Sequence, residues 1–185
     1  MDLYIVQYSG PFGFIKPWTA LRDGETFSQQ FLTPSIVEGM RQKLEVSAIA
    51  RHKLTYEGMC KQQEVIQTRG WKLKKKEKLF IRPTAILNRV VLLEPTLYLA
   101  FASYEDAQKA STQHLCLCRN EDVVFPSEAI QHLSEEAFDQ LDGFELRFGE
   151  NEQSFLVGYN RFEENRPMYG WLEVSNNPLK NHEEI

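Results

Sequence analysis

The first forty residues constrain the fold more tightly than any other stretch. Residues 3–9 alternate as a strand does, with Leu3, Ile5 and Gln7 opposite Tyr4, Val6 and Tyr8. Gly10-Pro11 then imposes a turn, and the aromatic pair Phe12 and Phe14 follows around Gly13. A helix is predicted over about 34–44. Thr33 can cap its first free amides, and Pro34 suits a first helical position that needs no amide donor. Ile36, Val37, Met40 and Leu44 recur at helical spacing.

Further along, residues 47–56 read as a strand. The polar, Lys-rich stretch 61–82 reads as a hairpin projecting from the core. AILNRVVLL at 85–93 and TLYLAFAS at 96–103 form the strongest strand pair, broken by Glu94-Pro95. Ser103 with Asp106 resembles a cap for a short helix through Ala110. HLCLC at 114–118 is a short strand of buried type, and SEEAFDQL at 134–141 a short helix. FELRF, SFLVGYN and MYGWLEV are closing strands. This order predicts an α+β sandwich built like a ferredoxin or an RNA-recognition module (RRM-like). A single domain is expected over residues 1–175, with 61–82 as an insertion and 176–185 as a flexible tail.

Charge is segregated. Residues 51–90 hold eleven Lys/Arg and three Asp/Glu, a local +8, whereas residues 91–185 carry a local −12 from six basic and eighteen acidic groups. A cation island in an acidic chain suggests one face for an anionic partner and another kept clear of it. Read as one strand, the segment from Arg69 to Lys78 would put Lys72, Lys74, Lys76 and Lys78 on one face, with Trp71 and Leu73 on the other. The four lysines would then stand about 6.6 Å apart and span roughly 20 Å, suited to tracking a nucleic-acid backbone. Such a patch supplies affinity and salt sensitivity rather than sequence reading. Lys75 belongs to the same cluster, and Trp71 can stack on a base or anchor the hairpin.

Other chemistry is sparse. His114, Cys116 and Cys118 would share a strand face, but a structural zinc site needs a second ligand pair, so core packing is the expected reading and no metal or cofactor is predicted. No phosphate-binding loop, nucleophile elbow or zinc-protease motif occurs. Three cysteines make no disulfide framework, no apolar run reaches the roughly 18 residues of a membrane span, and no basic leader precedes Asp2. A cytoplasmic protein with no membrane association is the expectation.

GPFGF at 10–14, followed by Pro17, Thr33-Pro34-Ser35 and Gly39, resembles the amino-terminal signature of the CRISPR-associated family-five proteins, RAMP-superfamily subunits of Cascade-type surveillance complexes. IRPTAILNRVVLLEPTLYLAF and HLCLCRNEDVVFP are similar to later family segments, with Cys118 where the family has Gly and Arg119 kept. The resemblance implies a ferredoxin-like core with a β-hairpin thumb and binding to the 5′ handle of a CRISPR RNA. It also implies contacts with the backbone-filament subunit and the large subunit, and reaches target DNA only through the complex. Arg69, Trp71, Lys72, Lys74, Lys75, Lys76, Lys78, Arg82, Arg89 and Arg119 are the expected RNA contacts, with Phe12 and Phe14 stacking on bases or filling the core. A nuclease branch of the family uses a Tyr just before Thr-Pro-Ser and a later Lys-His pair. Gln29 stands at that Tyr position and no Lys-His pair exists, so a non-catalytic binder is expected. The alternative is a metal-independent endoribonuclease acting on CRISPR precursor RNA through groups such as Tyr8, His52 or His114.

Overall fold

A computed structural model describes residues 2–17, 25–68, 70–160 and 163–179. The chain opens with β1 (Asp2–Ser9), β2 (Phe12–Gly13), β3 (Glu25–Phe27), α1 (Pro34–Leu44) and β4 (Arg51–Thr55). A long ribbon follows: β5 (Gly58–Gln67), β6 (Lys72–Lys74), β7 (Leu79–Ile81) and β8 (Thr84–Leu93). Then come β9 (Thr96–Phe101), α2 (Tyr104–Ala110), β10 (Leu115–Cys116), β11 (Val123–Pro126), β12 (Gln131–Ser134) and α3 (Glu135–Asp139). β13 (Gly143–Phe148), β14 (Phe155–Asn160) and β15 (Arg166–Ser175) close the described chain. The class is α+β, with far more strand than helix. No helix among the described residues is long and apolar enough to cross a membrane.

The central sheet is ordered β10-β11-β1-β9-β4-β13-β15-β14, with β12 also paired to β1. Within it, β1, α1, β4, β9, α2 and the β11–β12 pair run β-α-β-β-α-β. Their strands lie side by side as fourth, first, third and second, with antiparallel neighbours. The alternation of β1 separates its two faces as expected, yet both are covered. Val6 and Tyr8 pack with Leu99, Phe101 and the buried positions of α1 and α2, Met40, Leu44, Ala107 and Ala110. Leu3 and Ile5 face the other way, against Ala100 and Phe138 of α3. The helix starts follow their caps: the Thr33 hydroxyl accepts from the Ile36 amide and the Ser103 hydroxyl from the Asp106 amide. Gly10 is required where β1 ends, because a Cβ there would stand 2.4 Å from the Val123 carbonyl oxygen.

Several expectations need correction. β8 and β9 do not pair with each other. β8 pairs with β5 over ten residues, from Gly58↔Leu93 to Gln67↔Thr84, while β9 lies between β1 and β4. Glu94, at φ 45°, and Pro95 turn the chain from one sheet into the other. The hairpin is therefore longer than 61–82, running from 58 to 93. β4 begins only at Arg51, and β11 and β12 were not foreseen. In HLCLC it is Leu115 and Leu117 that are buried, whereas Cys116 and Cys118 are exposed free thiols. The alternation puts leucines inside and cysteines out.

His52 of β4 is buried with Nε2 unpartnered among the described residues, and burial, aided by the Arg51 charge, lowers its pKa from 6.5 to about 4. Below pH 6.5 the unfolded chain takes up a proton that the folded chain refuses until about pH 4. Stability is therefore full above 6.5 and lost as the pH falls through that window, at about 1.4 kcal/mol per pH unit. Between pH 6.5 and 5 this group should remove about 2 kcal/mol. Urea unfolding of the wild type and His52→Leu at both pH values checks it, since the variant should lack that increment.

Candidate nucleic-acid interface

The ribbon 58–93 continues the β4–β9 pair outward. Its base is braced on the far side of β8, by β2 through Phe12↔Leu93 and by β3 through Glu25↔Asn88 to Phe27↔Val90. A Lys61–Glu25 ion pair of 2.5 Å ties β5 to β3. Beyond Gln67↔Thr84 the support ends: among the described residues β6 and β7 pair only with each other, and every residue of β6 is exposed. Leu73 faces Phe80 across this tip, with Lys72 opposite Ile81 and Lys74 opposite Leu79.

The lysines do not form the single row that a continuous strand would make. β6 stops at Lys74, and Lys75, Lys76, Glu77 and Lys78 make a tight turn closed by the Glu77 amide donating to the Lys74 carbonyl at 3.1 Å. Lys78 sits at φ 51°, in the left-handed region that completes the reversal. The apolar residues Leu79 to Ile81 return along the ribbon, so the cations crown its end instead of lining one face. Lys74 meets Glu77 at 3.3 Å, an exposed pair of small worth. The remaining tip lysines, Lys72, Lys75, Lys76 and Lys78, are exposed. Trp71 is 64% exposed, with the Arg82 guanidinium 5.8 Å from its ring centroid, and the Arg82 Nε donates to the Thr68 carbonyl at 3.0 Å. Arg69 lies outside the described residues.

Arg89, Arg119, Phe12 and Phe14 belong to a different place, the root of the ribbon. Phe14 is only 2% exposed, and the guanidinium groups of Arg89 and Arg119 stand 5.0 and 5.6 Å from its ring centroid. Arg89 pairs with Glu64, while Arg119 pairs with Asp122 at 2.6 Å and Glu121 at 3.2 Å. Phe12 is half-buried in β2. The expected contacts thus divide into a tip group of open cations with an exposed indole and a root group whose charges are already answered. Sequence reading missed Phe80, 63% exposed and paired with Leu73 at the tip. The signal available was the matched flanks WKLK and LFIR around the turn.

Fold and surface together define an α+β protein carrying a basic ribbon with an exposed aromatic tip. No family model and no curated protein matches the chain. Solved structures similar to it include a chain from a CRISPR RNA-guided surveillance complex, at TM-score 0.49 and 12% identity, covering 95% of this chain and 91% of that one. Another is a Cas protein, at TM-score 0.43 and 16% identity, covering 95% of this chain and 99% of that one. Likeness at these levels decides neither fold family nor function.

Proposed function

We propose that this protein is a non-catalytic RNA-binding subunit of a Cascade-type CRISPR complex, gripping the 5′ handle of the guide RNA with the tip of its ribbon. The observation that carries the reading is that tip: Lys72, Lys75, Lys76 and Lys78 exposed around a tight turn, beside the exposed rings of Trp71 and Phe80. Open ammonium groups neutralise phosphates while aromatic faces accept unpaired bases, the combination by which single strands are held. The fourth-first-third-second strand order supports a ferredoxin-like RAMP core, and the motif around Gly10-Pro11 and Thr33-Pro34-Ser35 supports the family. Contacts with backbone-filament and large subunits follow from the same reading, with the acidic carboxy-terminal half turned toward protein.

Binding without cleavage is favoured by the fate of two acid–base groups. Tyr8 is buried and donates its hydroxyl to the Ala110 carbonyl at 2.7 Å, and burial raises its pKa. His52 is enclosed and held neutral. Four lysines engaging phosphates should give RNA affinity a log–log salt slope of about −2.8, at about 0.7 per phosphate. A titration of repeat-derived RNA between 50 and 300 mM salt tests the reading. A slope near zero would sink it, and specific scission in chelator would replace it with the nuclease alternative.

A further inference from the structure

A groove of 820 Å³ runs between α1 and β10, far from the ribbon tip in sequence and built from other elements. One helical stripe, Ile36, Gly39, Met40 and Lys43, forms one wall. The other is β10, the last strand of its sheet, with nothing paired beyond it among the described residues. Buried Met40, Leu115 and Leu117 make an apolar floor. Lys16, Lys43 and His114 stand on the rim, with the hydroxyls of Thr33 and Ser35 at one end. Among the described residues no carboxylate lines the groove, although the chain holds 26 acidic against 21 basic side chains. An apolar floor under cationic and hydroxyl groups selects a ligand with a flat apolar body and a negative charge, and the volume suits an organic ligand.

We propose that this groove binds a nucleotide unit, its base against the leucine floor and its phosphate between Lys16 and Lys43. The site stands independently of the ribbon, and two sources fit the same chemistry: a free mononucleotide, or one nucleotide of a bound single strand. Cys116 and Cys118 are exposed thiols on its wall, whereas Cys60 is an exposed thiol on β5. Gly39 offers a block that the fold tolerates. A Cβ there meets nothing within 4 Å, and a side chain suits a helix interior better than glycine.

The test is iodoacetamide alkylation of the native protein, read thiol by thiol by peptide mass spectrometry, with AMP and with a ten-residue oligoadenylate as probes. At saturating probe, alkylation of Cys116 and Cys118 should slow at least about five-fold, the range expected when a bound ligand covers most of the wall. Cys60 should be unaffected by AMP. Protection by AMP assigns a free nucleotide, and protection by the oligonucleotide alone assigns a unit of a strand. Gly39→Phe and the Lys16→Glu/Lys43→Glu pair should each abolish protection. Unchanged rates with both probes overturn the proposal, as does protection that survives Gly39→Phe. Neutralising the ribbon lysines should leave AMP protection intact, so failure of the groove and failure of the RNA-binding reading are separable.

Discussion

Glu145→Ala should destabilise the protein by about 3–5 kcal/mol, the range for a buried ion pair that loses one partner. Glu145 of β13 is buried, and its two carboxylate oxygens accept from Arg51 Nε at 2.9 Å and Nη2 at 2.5 Å. Arg51, 9% exposed, also meets Asp139 at 2.7 Å and lies 4.8 Å from the centroid of the Phe138 ring. Beside it, the fully buried Lys53 donates to the carbonyls of Asp139 and Leu141 and to the Ser175 hydroxyl, at 2.9, 2.7 and 2.9 Å. These bonds join β4 to α3, β13 and β15, so two buried cations reinforce the side of the central sheet where β13 pairs with β4. Removing the carboxylate leaves the guanidinium desolvated with one half-exposed partner. Thermal unfolding should fall by roughly 6–20 °C for a chain of this size. The double variant Arg51→Met/Glu145→Leu should recover most of the loss, because apolar packing replaces both charges. A single-variant loss under 1 kcal/mol would mean that the pair is solvated.

The second large effect concerns binding. Lys72, Lys75, Lys76 and Lys78 changed together to glutamine should weaken RNA affinity by roughly two to three orders of magnitude at 0.1 M salt. Four phosphate contacts at about 0.7 each contribute about 2.8 logarithmic units there relative to 1 M salt. The salt slope should fall toward zero in parallel, while thermal stability stays near that of the wild type because these side chains are exposed. Arg89→Gln and Arg119→Gln should behave differently. Each breaks an ion pair at the ribbon root, with Glu64 or with Asp122, and should move stability more than salt slope. A quadruple variant that binds within three-fold of the wild type would remove the ribbon tip from the interface.

Much of the fold was legible where its causes are local. The start of α1 rests on Thr33 and Pro34, and that of α2 on Ser103, all within a turn of the residues they organise. The two faces of β1 were likewise written in its alternation. The site was legible in part: cations and Trp71 were found, but their arrangement was not. A run of alternating lysines looks like a strand until Leu79 to Ile81 demand a partner, and that partner is β6. The cysteines misled for a similar reason, since a two-residue period leaves open which half of HLCLC faces inward.

What the amino-acid order determined by itself is the helix starts, the two faces of β1 and the segregation of charge, because capping, periodicity and net charge depend on near neighbours. What only the tertiary structure decided is which strands pair and which cations stay open. β8 could have paired with β9 across a short turn, yet β8 pairs with β5 while β9 lies between β1 and β4. Arg89 and Arg119 look as available as the lysines until Glu64, Asp122 and Phe14 arrive from distant segments. Pairing and charge compensation are settled by competition among parts of the chain far apart in sequence. That competition ends only when the whole molecule has packed, leaving the ribbon's tip exposed and its root neutralised.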